Sequence, residues 1–306
     1  MTASRTQAGP GNEQDADRPV PVNVASVAQG ARWHRFLVMG ALFTGAVVFL
    51  FPFYYMLVAS LQRSPNMSVG GAFPSLGNLT LDNYVKINAA LNLWQALLNS
   101  GIFAGGVLLG TVVFGVLGGY ALAMLHFRGR GVLFSAMLLV LVVPFQLSMI
   151  PLYVLIARDY GLGDTYLGMI LPFAINSTAV FIFRQYFLQL PSELFDAARI
   201  DGAGELRTLW SIALPLVRPA LLTAVLLTFI GPWNEFLWPF LITKQQSKQP
   251  LAVSLANYIS VVQASTANPY GSILAGAVVL AVPAVGLFVL FQRHFVSTDL
   301  GSGVKG

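Results

Sequence analysis

Cysteine is absent from the 306 residues, so the chain forms no disulfide and no thiolate metal site. Charge is scarce too: Asp, Glu, Lys and Arg make up 9% of the residues, against about 25% in soluble domains. Histidine occurs only as His34, His126 and His294, and the absence of HExxH removes the commonest zinc-protease signature. No lysine precedes Ser or Thr, so the chain carries no Walker A phosphate loop. What remains is apolar, 56% hydrophobic with a mean hydropathy of +0.70. Most of this chain does not have water as its solvent, and the composition assigns it to the polytopic membrane proteins.

The first residues, about 1–31, are rich in Pro, Gly, Gln, Asn and Asp without apolar periodicity, and read as a disordered cytoplasmic tail. The first apolar run starts only at Phe36, too late and too long for a cleaved signal. Six apolar blocks follow, at about 36–61, 95–125, 131–157, 166–189, 219–242 and 271–293, each at least the ~20 residues that span a bilayer as a helix. Barrel strands would alternate in ~10-residue segments, which these do not. The expected fold class is therefore all-α, six transmembrane helices over a domain 32–306. Pro52, Pro144, Pro151, Pro172, Pro232 and Pro283 lie inside the blocks, where membrane helices tolerate proline. Gly101, Gly105, Gly115 and Gly119 fall along one side of the second block, a bare strip expected to pack inside the bundle.

Orientation follows from basic residues, which stay preferentially in the cytoplasm. With the N-terminus inside, twelve Lys and Arg lie in inner segments and five (Arg63, Lys86, Arg158, Lys244, Lys248) in outer ones. Both termini are expected in the cytoplasm, and the net charge of +5 is a matter of topology, with no need for nucleic acid.

The longest inner loop, about 190–218, is unusually polar: Glu193, Asp196, Asp201 and Glu205 alternate with Arg199 and Arg207. Its pattern predicts two short helices. Ser192 is placed to cap the first, with Glu193 and Asp196 in the opening turn where acids suit the helix dipole. Asp201-Gly202 reads as a break, Glu205 to Ala213 as the second helix, with Pro215 as its stop before Pro219 opens the next span.

"PSELF" at 191–195, "DAARIDGA" at 196–203 and "IALPLVRP" at 212–219 resemble the EAA loop of permease subunits of bacterial ABC importers, with Asp196 where the family usually has Glu. "NS" at 99–100, "YALA" at 120–123, "FRGR" at 127–130, "IPLY" at 150–153, "GPWNEFLWPF" at 231–240, "FQRHFV" at 291–296 and the final "GSGVKG" resemble its carbohydrate-uptake branch of MalG-like subunits, over roughly residues 35 to 306. The resemblance implies a type I ABC importer permease fold in a bacterial inner membrane. It implies a loop helix that docks on a cytoplasmic ATPase, with Glu193, Leu194, Asp196, Ala197, Ala198, Ile200, Asp201, Gly202, Ala203, Leu214 and Pro215 as the coupling residues. Ala197 and Ala198 would allow close approach, Leu194 and Ile200 would give apolar contact, and Gly202 would fix the turn. The implied partners are a second, MalF-like permease, two ABC ATPase subunits that bind ATP and Mg, and an external sugar-binding protein; the sequence by itself leaves a homodimer open. No cofactor and no metal site are implied for this chain, which would be a non-catalytic subunit. The outer loop at about 243–270 is implied to touch the binding protein.

A secondary transporter not coupled to ATP is the rival class, but ion-coupled carriers tend to carry several ionisable groups within their spans. Here there is one clear case, Glu235. With Trp233, whose face suits a sugar, and Asn234, it forms a candidate substrate path, the alternative being that the tryptophans are interfacial belt residues and Glu235 reaches water or the partner permease.

Overall fold

The computed structural model describes residues 24–265 and 268–300, with side chains described from His34, to Val262 and again from Asn268 to Gln292. The expected tail before Val24 and the final GSGVKG lie outside the described residues, as do the side chains of Arg293 and His294. The chain divides into two units, Met1–Tyr54 and Tyr55–Gly306. The first is the body of helix α1 (Val24–Ser60), apolar from His34 onward.

Everything else described is helix and turn, with a single isolated bridge between Gln62 and Leu79. In chain order come α2 (Asp82–Leu91), α3 (Leu93–Met124), α4 (Arg130–Val142), α5 (Phe145–Tyr153) with a π-helical continuation to Asp159, α6 (Tyr166–Ala174) and α7 (Ser177–Phe187). They are followed by α8 (Ser192–Ile200), α9 (Glu205–Thr208), a π turn, α10 (Leu214–Leu216), α11 (Arg218–Asn234), α12 (Leu237–Ile242), α13 (Leu251–Ser265) and α14 (Tyr270–Leu300).

Some apolar blocks break near proline and others do not: Pro52 lies within unbroken α1 and Pro283 within unbroken α14. α3, with none, runs unbroken for 32 residues, about 48 Å at 1.5 Å per residue. The block expected as one helix at 131–157 is instead two arms at 96°. Pro144 forces its predecessor out of the helical region, and Val143 sits at φ −80°, ψ 117°. The fourth block likewise bends by 44° between α6 and α7, and the fifth breaks between Asn234 and Leu237.

α3 is the spine. Its glycines take the place of side chains where α6 and α7 cross: a Cβ on Gly119 would lie 2.6 Å from that of Phe183, and one on Gly110 2.8 Å from that of Ala174. The glycine strip read from the sequence is only half right. Gly115 and Gly119 are packed, whereas nothing of the chain lies within 4 Å of a Cβ on Gly101 or Gly105. The packed side turns toward Gly106 and Gly110, because α6 leans away from α7.

At the Asn99 end of α3 the chain is fastened by neutral groups. Asn99 Nδ2 donates to the carbonyls of Ser247 and Gln249, both at 2.9 Å, while its Oδ1 accepts from Tyr166 Oη at 2.7 Å. Ser100 Oγ accepts from the Leu251 amide. Leu251, Val253 and Leu255 of α13 are thereby buried, Leu251 and Leu255 in a cluster with Ile87, Leu91, Leu93 and Ala275. Within the 243–270 segment α13 is thus a packed element, because its apolar face has α2 and α14 to cover it.

Candidate coupling site

α8 presents two unlike faces. Phe195 and Ala198 are buried, three residues apart, and Phe195 joins the cluster of Val116, Tyr120, Phe183, Phe187 and Leu209. Phe195 sits with its ring 6.4 Å from that of Tyr120. At about 100° per residue, Glu193, Asp196, Ala197 and Ile200 fall on the opposite side. All four are exposed, Ile200 by 86%, and Leu194 lies on the flank at 41%. Of the expected Ala197–Ala198 pair, Ala197 is exposed and Ala198 is turned inward. Its small size instead lets α8 lie close on its own core.

The helix starts after Pro191, so Ser192 is its first helical residue and makes no side-chain cap, contrary to the sequence reading. Its end is better defined. Gly202 has φ +75°, its amide donates to the Arg199 carbonyl at 3.0 Å, and the Ala203 amide donates to the Ala198 carbonyl at 2.9 Å. These two bonds make a Schellman closure, which a left-handed residue at that position permits. Asp201 is exposed at the turn, and Ala203 is half-buried behind it.

A polar relay ties α8 and α9 to the spine. Tyr120 Oη donates to Glu205 Oε2 at 2.6 Å, Arg199 Nε donates to Glu205 Oε1 at 3.1 Å, and Arg199 Nη1 reaches Asp196 Oδ1 at 3.2 Å. The Tyr120 hydroxyl, opposed by partial burial and helped by Arg199, holds the Glu205 carboxyl below the usual carboxylate range. The same carboxylate raises Arg199. Neither Tyr120 nor Glu205 stood out in the sequence as a site residue, since they are 85 positions apart. Phe195 was missed as well; the signal was its i+3 spacing to Ala198 in a polar stretch.

Beyond α9 the backbone continues to Leu216 and bends by 80° into α11. Leu214 is half-buried against the same cluster and Pro215 is exposed. Pro215 does not stop the helix, as expected, but lies in its last turn; the break falls at Val217, whose φ is −100° and ψ 21°. Because Phe195, Leu209, Ala213, Val217 and Ala220 share one cluster, a push on α8 reaches α11 through side-chain contacts and not only along the chain.

The candidate substrate path looks different from its sequence reading. Trp233 is buried, its ring stacked on Phe229 and its Nε1 donating to the Leu280 carbonyl at 2.9 Å, so one face is taken, and the residue borders an apolar recess with Trp94, Leu98 and Pro283. Asn234 bonds back to the Ile230 carbonyl. Glu235 lines a separate recess, of about 200 Å³. Among the described residues no group of three or more His, Asp and Glu is placed to hold a metal.

Comparison with known proteins identifies the family. The family model of the binding-protein-dependent transport system inner membrane component matches residues 112–297. The arabinooligosaccharides transport system permease protein AraQ of Halalkalibacterium halodurans is 36% identical over 266 residues, 85% of this chain and 93% of that one. The sn-glycerol-3-phosphate transport system permease protein UgpE of Rhizobium meliloti is 32% identical over 263 residues, 83% and 92% of the two chains. In a crystal structure of a bacterial ABC transporter involved in import of the acidic polysaccharide alginate, one chain superposes with a TM-score of 0.73 at 24% identity, covering 91% of this chain and all of that one, which shows the fold. With a family model over most of its length and relatives at this identity, the chain belongs to the inner membrane components of binding-protein-dependent transport systems.

Proposed function

We propose that this permease forms half of the pathway by which a sugar or oligosaccharide, delivered by an external binding protein, enters a bacterial cell. α8 is the element through which ATP drives it. The observation that carries the reading is the exposed Ile200 and Ala197 on a helix whose other face is keyed into the core by Phe195. An apolar residue exposed by 86% on a polar helix suits a partner groove better than water. The partner is a cytoplasmic ABC ATPase, two copies of which bind ATP and Mg; this chain does no chemistry on either. Closure of the ATPase pair pushes α8, and the shared cluster passes the push to α3 and α11. Transport is then a shift between inward-facing and outward-facing populations, biased because ATP binds one arrangement better.

The second half of the pathway is a MalF-like permease, and both termini of this chain lie in the cytoplasm. Glu193, Leu194, Asp196, Ala197, Ile200 and Asp201 form the docking face, with Gly202 and Ala203 fixing the turn and Ala198, Leu214 and Pro215 supporting it from behind. Twelve basic residues on the α8 side support the orientation. The relatives that transport arabinooligosaccharides and the matching sugar-branch motifs support a saccharide cargo.

Ile200→Asp tests the docking face. The variant should insert normally but fail to retain the ATPase on co-purification and fail to take up any saccharide that the wild type takes up. Full retention of the ATPase would refute the assignment of α8.

A further inference from the structure

Two breaks in this chain, between α6 and α7 and between α11 and α12, border one recess, and both carry a polar side chain. Between α6 and α7, Asn176 caps the lower helix: its Oδ1 accepts from the Ala179 amide at 3.1 Å. Between α11 and α12, Glu235 does the same, its Oε1 accepting from the Trp238 amide at 3.3 Å. Each cap uses one half of its group. The Asn176 Nδ2 donor and the second Glu235 oxygen are left over, and both residues line one recess of about 200 Å³ together with Thr228. Thr228 adds a hydroxyl and a carbonyl, because Pro232, four residues on, has no N–H to donate back to it. Phe173 and Leu227 supply apolar wall. Among the described residues no cation forms an ion pair with Glu235, the ion pairs all lying at Arg199.

Resting on the sugar-permease reading, we propose that this recess is a contact site for one uncharged, hydroxyl-rich sugar ring in transit, held between the Asn176 amide, the Thr228 hydroxyl and the Glu235 carboxylate. The groups ask for a ligand that both donates and accepts. An amide N–H needs an acceptor and a carboxylate needs a donor, and a single hydroxyl serves both at once. Ammonium groups donate only; phosphates and carboxylates accept only, and would meet the uncompensated charge of Glu235 at close range. The apolar wall suits the C–H face of a ring, and a few convergent polar groups on such a wall are the ordinary make-up of a small-molecule site. Placement at two helix breaks adds a consequence: any motion that changes the 44° bend between α6 and α7 changes the distance between donor and acceptor.

The halves left over can be altered without touching the caps. Asn176→Asp keeps an oxygen for the Ala179 amide and removes the donor; Glu235→Gln keeps an oxygen for the Trp238 amide and removes the acceptor. The test uses the complete transporter with its own partners and binding protein in proteoliposomes, with arabinotriose, xylobiose and maltose as neutral probes and glycerol 3-phosphate and glucuronate as anionic ones. Wild type should take up at least one neutral probe. Each variant should lower that uptake by about ten-fold, the factor that ~1.4 kcal/mol carries, while binding-protein-stimulated ATP hydrolysis stays within about two-fold. Uptake at the wild-type rate in both variants overturns the proposal. So does a parallel loss of ATP hydrolysis, which would make the residues props for the helix breaks, and so does wild-type uptake of the anionic probes alone. If wild type takes up none of the five probes, the sugar-permease reading itself fails.

Discussion

Replacing Gly202 isolates one backbone angle. At φ +75° the residue closes α8, and a Cβ added there would meet nothing within 4 Å, so any penalty is conformational and owes nothing to crowding. A left-handed conformation costs an ordinary L-residue about 1–2 kcal/mol, less for Asn and more for a β-branched side chain. Gly202→Ala should therefore lower the closed population by a factor of about 5 to 30, since RT is ~0.59 kcal/mol. Gly202→Val should do worse and Gly202→Asn least harm. The amide of Ala203, which donates to the Ala198 carbonyl, reports the closure directly. Its hydrogen-exchange protection in the purified transporter should fall in the order Gly, Asn, Ala, Val, and binding-protein-stimulated ATP hydrolysis coupled to uptake should follow the same order. Equal protection in all four would refute the reasoning, because the positive φ would then carry no cost. Normal coupling in the valine variant despite lost protection would separate the turn from the docking role of α8.

Two further outcomes are expected. With no native cysteine, single substitutions report topology cleanly: a cysteine at exposed Ser247 should react with an impermeant maleimide from outside the cell, and one at exposed Arg207 only after permeabilisation, the reverse pattern contradicting the charge-based orientation. Glu205 is held below its ordinary pKa, so its contribution is fully present above that ordinary value and is lost as pH falls through the lowered one. Exchange protection of α8 and α9 should then drop only in acid below about pH 4, and Glu205→Gln should abolish that pH dependence; an unchanged profile in the variant would mean that another group titrates.

How much of this was legible in the sequence depends on the range of each interaction. The turn at Gly202 was readable because Asp-Gly states it locally. The fold class was readable because 20 apolar residues have few other uses. The 96° break at Pro144 was visible as a proline but not as an angle, since membrane helices often carry proline with only a kink. Ser192 misled because a serine before an acid resembles a cap, whereas Pro191 ahead of it already sets the helix start. Trp233 misled because an aromatic at a helix break has two possible faces, and only the packing of Phe229 shows that one is taken. The Tyr120–Glu205 bond and the pairing of Asn176 with Glu235 in one recess lie beyond any local pattern, because each joins residues more than 50 positions apart.

The fastening around Asn99 bears on the setting in which the permease works. Amide, hydroxyl and backbone carbonyl groups make it up, from Asn99 and Ser100 to Tyr166, Ser247, Gln249 and Leu251. None of these residues is an Asp, Glu, His, Lys or Arg. Neutral hydrogen bonds also escape the screening that weakens ion pairs as salt rises. On the outward orientation inferred from the charged residues, this end faces a medium that the cell does not regulate. A seam so built keeps its strength in brine, while on the same inferred orientation the Glu205 carboxylate lies at the other end, toward the regulated interior.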